Sequence, residues 1–447
     1  MSKSGWMAAA GKRSGARKRP VEYSILYTAT LCMLAAGAVM VYSSSSAESL
    51  LQGPGDPSYY LKRYLAFGLI GLVVLHLLSR HGLRLVRAAT PVLLVSSFAL
   101  CFIVMLPGFG VTVNGATRWL AAGSVQFQPS ELLKLSLVLY AAQLLAARPR
   151  ATQSLKGLAR PLLWVVAGAC LLLIKQPDMG TAVVICLAIG ALLIAAGVPL
   201  RNLALILGVL AFLALIVALA EPYRRERLTS FLDPFSDAGN SGFQAVQGLV
   251  AIGSGGFFGV GLGESVQKIF YLPEAHTDMI LAVIGEELGL LGITGLAMLY
   301  LLLVITGLRA AKNCRDAYAR LLAIGITSIV ASQALLNFFA VMGMAPLTGV
   351  PLPFISYGAS NLIVLLAAMG LLVNVASGKH VARVRVLPGG ATAGAARPRT
   401  TRQSERARAA GTGTGRTRTV SRAVTKDEDR DRGRRNGGPR GTGTRRR

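Results

Sequence analysis

Charge is scarce in this sequence, and its cysteines are not paired. Only 15% of the 447 residues are Asp, Glu, Lys or Arg, against 53% hydrophobic, and the mean hydropathy is +0.54. That balance excludes an ordinary soluble globular domain. The five cysteines, Cys32, Cys101, Cys170, Cys186 and Cys314, show no CxxC or other paired spacing. A metal cluster or disulfide framework is therefore not expected, and packing is their expected role. Acid is scarcer than base, 20 residues against 47, giving a net charge of +27. From Lys379 onward the chain is Gly, Thr, Arg, Ala and Pro with 20 basic and 5 acidic residues, a composition that signals disorder. No aromatic interleaves those arginines, so nucleic acid is not the expected partner. A basic tail beside a bilayer is drawn instead to anionic lipids or to a docking protein.

What the sequence has in quantity is long apolar runs. A helix needs about 20 residues to cross roughly 30 Å of hydrocarbon. Such runs lie near 23–43, 61–79, 88–107, 131–147, 158–174, 179–197, 200–220, 278–308, 318–343 and 359–377. The expected fold is an all-α polytopic membrane protein of about ten transmembrane helices. Lys and Arg concentrate before the first run and in alternate connections, Arg80 to Arg87, Arg148 to Arg160 and Arg309 to Arg320, which places those ends and both termini in the cytoplasm. Three regions follow: a basic segment over 1–20, a membrane domain over 21–378, and a basic tail over 379–447. The first run is too long for a signal-peptide core and reads as an uncleaved anchor. The connection 221–277 faces outward and, being long, is expected to be functional. Within it the stretch from Gln244 to Ile252 is expected to lie along the membrane surface.

Polar residues gather at the outer ends of these runs. Pro129, Ser130 and Glu131 read as a helix start, where Pro suits the first turn and Ser and Glu serve its free N–H groups. Arg118 and Trp119 stand just upstream, an anion-binding pair or an interfacial belt residue with a basic neighbour. Lys175 and Asp178 flank a tight turn and either pair with one another or, for Asp178, cap the next helix. The long connection carries Arg224, Arg225, Arg227 and Lys268, and its GVGLGE lacks the strand that a dinucleotide fingerprint needs. Finally YLPEAHTDMILAVIGEELG, residues 271–289, puts His276, Asp278, Glu286 and Glu287 at or inside a bilayer boundary, where ionisable groups are costly. If Thr277 caps a helix, Asp278 falls in its first turn. Glu286 and Glu287 then lie deeper on different sides, at least one bonding to a neighbouring helix, with Arg118, Lys134 or Asn337 as candidate partners.

GATRW with FQPSELLK, QPDMGTAVV, GLGESVQKIFYLPEAHTDMILAVIGEELG and PLTGVPLPFISYGAS resemble the signature blocks of the SEDS family (shape, elongation, division, sporulation). They occur in the family's order over about residues 21–380, and the cell-division branch is the one most resembled, ahead of the elongation and sporulation branches. Asn361 follows a YGAS where the family usually has YGGSS. The resemblance implies a peptidoglycan glycosyltransferase in the bacterial cytoplasmic membrane, at the septum, joining lipid II units on their undecaprenyl diphosphate carrier. It implies a class B penicillin-binding protein and other division proteins as partners. It matches Asp278 to the family's essential acidic position, Trp119 to its important Trp, and Lys268 to the Lys of its QK pair.

The chemistry of these residues agrees with that implication. A carboxylate at the outer surface serves as base for a sugar hydroxyl, and Asp278 takes that role, with His276 a second titrating candidate. Positive charge is needed where diphosphate leaves, from Lys268 with Arg118 or an arginine such as Arg227, or from Mg²⁺ or Mn²⁺, for which no ligand set is readable. The competing readings are a lipid II transporter with Glu286 and Glu287 along its path, and a scaffold that recruits a transpeptidase.

Overall fold

The computed structural model describes residues 20–378 apart from Pro54, Asn114, Ser124, Glu221 and Ser241. The basic segment read over 1–20, Pro20 excepted, and the tail over 379–447 lie outside the described residues, as does the side chain of Arg224.

Helices dominate. Helix α1 is Val21–Leu51, and α2, Tyr59–Val104, contains two spans, Tyr59–His81 and Leu83–Val104. They run in opposite directions: Tyr60 packs edge-to-face on Tyr357 and Cys101 O accepts from Gln176 at the outer end, while Leu78 O accepts from Asn374 at the inner end. Then come α3, Pro129–Ala147; α4, Leu155–Leu158, which continues through a π turn into α5, Trp164–Lys175; α6, Met179–Ala195; and α7, Leu200–Ala220. The outer connection holds α8, Pro222–Leu232, and α9, Phe243–Gly255. Helices α10, Ile280–Lys312, α11, Ala317–Val341, and α12, Ala359–Ala376, complete the bundle. Among the described residues nine spans are long and apolar enough to cross a bilayer, and α6, at 17 residues, is a shorter apolar helix in the place of the sixth expected run. It is bounded by Asp178, whose carboxylate accepts from Thr181 N, and by a left-handed Gly197 at φ 80°.

Helix α12 is almost wholly buried, held by the first span of α2, by α11 and by α1. Helix α7 is the opposite case, with Leu205, Phe212, Leu215 and Leu219 exposed, as suits side chains that meet lipid.

A three-stranded antiparallel sheet stands on the outer end: β1, Gly110–Val113, β2, Ala116–Ala122, and β3, Val125–Phe127. Val111 pairs with Trp119, and Leu120 with Phe127.

The stretch expected along the membrane surface, Gln244 to Ile252, forms most of α9. Helix α9 packs against the outer half of α10 and buries Val246, Gly248, Ala251 and Gly255. A Cβ on Gly255 would collide with the backbone of Gly285 and Glu286, so only glycine permits this approach. Helix α10 breaks at Gly289 (φ 65°, ψ −161°). The break strands backbone groups that a bilayer interior cannot solvate. Residues 256–261 satisfy them: Val260 N donates to Glu286 O at 2.9 Å and Gly261 N to Glu287 O at 3.0 Å. On the far side Leu290 N donates to Gly256 O at 3.0 Å and Leu291 N to Phe257 O at 3.2 Å.

Candidate active site

The start of α10 also differs from expectation. Glu274 adopts a left-handed φ of 55°, and Thr277 N and Met279 N both turn back to its carbonyl at 3.1 and 3.3 Å. The helix therefore begins at Ile280 with Met279 at the cap, and Asp278 sits in the turn before it rather than in its first turn. Asn337 of α11 fixes that turn, donating to Asp278 O at 2.7 Å and Val350 O at 2.9 Å. The left-handed Gly349 (φ 68°) stands opposite the Asp278 carboxylate.

Asp278 opens into a cavity of about 210 Å³, into which Arg118, Trp119, Glu131, Asp178 and Arg227 also face. They arrive from four elements. Strand β2 supplies Arg118 and Trp119, and Arg118 is pinned from behind, Nε donating to Gln176 O at 3.2 Å and Nη2 to Pro177 O. The N-terminus of α3 supplies Glu131, whose carboxylate lies 2.8 Å from Lys134 Nζ, both side chains at most 2% exposed. Asp178, capping α6, accepts from Ser130 Oγ at 2.8 Å and Gln128 Nε2 at 3.2 Å, which ties α3 to α6 at the cavity wall. Helix α8 supplies Arg227, which also donates to Leu347 O at 3.1 Å.

The half-buried Asp278 carboxyl is pushed up to about 6 by burial foremost and by the like charge of Glu274; the Thr277 hydroxyl and the Arg227 charge pull it back. A carboxyl near 6 is largely ionised at neutral pH and still basic enough to take a proton.

Four nominated residues stand apart from the cavity lining, Lys134 among them, buried in its pair with Glu131. Lys268 is buried in an ion pair 2.8 Å from Glu287, where it also reaches Ser43 Oγ at 3.2 Å and Gly263 O at 2.6 Å. Lys175 ends α5 with its side chain exposed. His276 turns the other way, its Nδ1 3.3 Å from Glu48 and its ring 4.3 Å from that of Tyr60; its carbonyl accepts from Tyr357 N at 2.9 Å.

The candidate partners for the deep carboxylates were also misplaced. Glu287 takes Lys268 and Ser43, the latter at 2.6 Å. Glu286 accepts from Ser265 Oγ, from Val266 N at 3.0 Å and from Gln267 N at 3.4 Å. Arg118, Lys134 and Asn337 serve elsewhere, because the break at Gly289 lets the outer connection reach this depth itself.

Sequence reasoning passed over Gln128, Gln244, Glu274, Tyr357 and Asn361, which also line the cavity. Glu274 was visible in the PEAHTD stretch, four residues before Asp278. Among the described residues no group of three or more His, Cys, Asp or Glu is placed to hold a metal ion.

Fold and site together define a polytopic helical membrane protein with a carboxylate and two arginines converging at the outer end of its bundle. Comparison with known proteins narrows that class. The family model described as "Cell cycle protein", FtsW/RodA/SpoVE, matches residues 23–380. A probable peptidoglycan glycosyltransferase FtsW of Thioalkalivibrio sulfidiphilus is 45% identical over 78% of this chain and 88% of its own. Stage V sporulation protein E of Bacillus subtilis is 37% identical over 78% and 96%. Among solved structures, a chain reported under "Structural coordination of polymerization and crosslinking by a peptidoglycan synthase complex" aligns with a TM-score of 0.66 at 32% identity, over 79% of this chain and 97% of that one. Rod shape determining protein RodA of Thermus thermophilus aligns at 0.58 and 28% identity, over 79% and 96%. The chain belongs to the FtsW/RodA/SpoVE family, the SEDS proteins that its motif blocks resemble.

Proposed function

We propose that this integral membrane protein is a peptidoglycan glycosyltransferase that polymerises lipid II at the outer face of the bacterial cytoplasmic membrane, in the septal synthesis of cell division. The observation that carries the reading is the placement of Asp278 in one cavity with Arg118 and Arg227 from separate elements. The Asp278 carboxylate takes the proton of the acceptor sugar hydroxyl as that oxygen bonds to the anomeric carbon of the donor. The bond from that carbon to the diphosphate oxygen breaks, and its electron pair leaves with the lipid diphosphate. Arg118 and Arg227 meet the charge that develops on the leaving group, which is where fixed cations lower a barrier most. Trp119 supplies a flat apolar wall beside them.

Transport of lipid II would use Glu286 and Glu287 as a path, but both carboxylates are engaged by the outer connection. The relative solved in a complex that couples polymerisation to crosslinking supports a transpeptidase partner, a class B penicillin-binding protein, with other division proteins around it. The test is polymerisation of labelled lipid II by the protein with that partner, its crosslinking blocked. Strands from wild type and none from Asp278→Ala are expected; strands from both would refute the assignment of the base, and carrier movement across vesicles without strands would refute the enzyme.

A further inference from the structure

Joining two sugar-bearing substrates requires room for both. The Asp278 cavity, about 210 Å³, is below the roughly 300–1,000 Å³ of ordinary ligand sites. Beside it lies a groove of about 460 Å³ between α8, α9 and the end of α11 with the residues that follow it. The two spaces are contiguous in their walls, since Arg227 and Gln244 line both.

The groove's lining is mixed. Phe231 and Phe243 offer aromatic surface among Leu232, Leu249 and Leu347, while the exposed Glu226 and Asn240 and the half-buried Gln244 bring hydrogen-bonding groups to its rim. That combination suits a saccharide, whose C–H faces pack on rings while its hydroxyls exchange hydrogen bonds. Arg227 stands at the seam and is anchored to the far wall through Leu347 O at 3.1 Å, so a diphosphate held there leaves the attached sugars directed toward one space or the other.

We propose that this groove is the subsite for the saccharide of the growing glycan strand, distinct from the Asp278 cavity that presents the acceptor hydroxyl. The assignment rests on the glycosyltransferase reading and specifies where its second substrate lies. It makes strand length, rather than lipid II turnover alone, a property of α8 and α9.

Two measurements test it. In the first, the full-length protein is titrated in detergent with a lipid-free peptidoglycan tetrasaccharide, a readout that needs no turnover. Phe243→Ala, Asn240→Ala and the groove-filling Ala345→Trp are each expected to weaken binding about tenfold, the scale of one lost anchoring contact. In the second, the same variants with the transpeptidase partner are expected to give strands at least about twofold shorter at matched lipid II consumption, because a strand held about tenfold less tightly is released sooner. Thermal midpoints identify variants that fail to fold, and Ala345 lies on a different segment from the turn that holds Asn240 and Phe243, so a misfolded variant of one leaves the other readable. Unchanged binding in folded groove variants overturns the proposal, as does absence of binding by wild type or unchanged strand length. Absence of strands from wild type that still binds the tetrasaccharide is a failure of the catalytic reading instead, and the binding arm separates the two.

Discussion

The sharpest consequence of the site concerns pH. Asp278 must be ionised to accept a proton, and its carboxyl is pushed up to about 6. Such a group is about nine-tenths ionised at pH 7 and about one-tenth at pH 5, so the polymerisation rate is expected to fall roughly tenfold across that interval. The causes of the shift predict how variants move the limb. Glu274→Gln removes a like charge, so the limb moves to lower pH; burial remains, so it stays above the ordinary value of 3.8. Arg227→Gln removes a stabilising cation, so its limb moves to higher pH. Stability follows the opposite course from activity. A carboxyl whose folded value lies above its unfolded one favours the folded state while protonated, and that contribution is lost as pH rises through the window from 3.8 to about 6. Asp278→Asn is therefore expected to lose activity, to raise the thermal midpoint at pH 7 and to have no such effect near pH 4. The assay is initial-rate lipid II polymerisation from pH 5 to 8, with thermal melts of the same samples. A flat wild-type profile, or a limb that Glu274→Gln leaves in place, would refute the assignment of Asp278 as the titrating base.

Other consequences are structural. Lys268→Met and Glu287→Gln should each lower the thermal midpoint strongly, as breaking a buried pair costs about 3–5 kcal/mol; the double variant should recover much of the loss, and additive losses would show that the two do not act as a pair. Asn337→Leu strips the hydrogen bonds from Asp278 O and Val350 O, at roughly 1–3 kcal/mol for each carbonyl left unpaired. Its rate should fall more than its substrate affinity, because the base is displaced; an unchanged rate would show that the turn holds without it. Gly289→Ala puts a Cβ 2.6 Å from Phe257 O on a backbone at φ 65°. A cost of at least about 2 kcal/mol is expected in melts, and a neutral result would mean that α10 has an unbroken alternative.

Much of this architecture was legible because a membrane imposes it. Hydrocarbon thickness sets the length of each apolar run, and basic connections set its direction, so the ten runs and the outward placement of Asp278, Arg118 and Arg227 could be read directly. The outer sheet was missed although VTV and ATRW flank Asn-Gly, a two-residue hairpin signal, and Gly-Ser separates the next pair of strands. The partners of Glu286 and Glu287 were not legible, because helical periodicity assumes an unbroken α10. A single left-handed glycine invalidates that assumption and admits a segment twenty residues upstream. Lys268 shows the same limit: its motif signalled importance, but only the fold shows that its charge is spent on Glu287.

The engagement of Glu286 and Glu287 bears on how the chain enters the membrane during synthesis. A segment with two carboxylates in the second turn of its helix inserts less readily alone, since each acidic residue drawn into hydrocarbon opposes insertion, by up to about 2.5–3.5 kcal/mol at a helix centre. Every group that relieves them, Ser43 and the run from Ser265 to Lys268, lies earlier in the sequence and has left the ribosome before α10 emerges. The order of synthesis thus supplies the neutralising groups before the acids, and a permuted chain that made α10 first would present two bare carboxylates to the translocon.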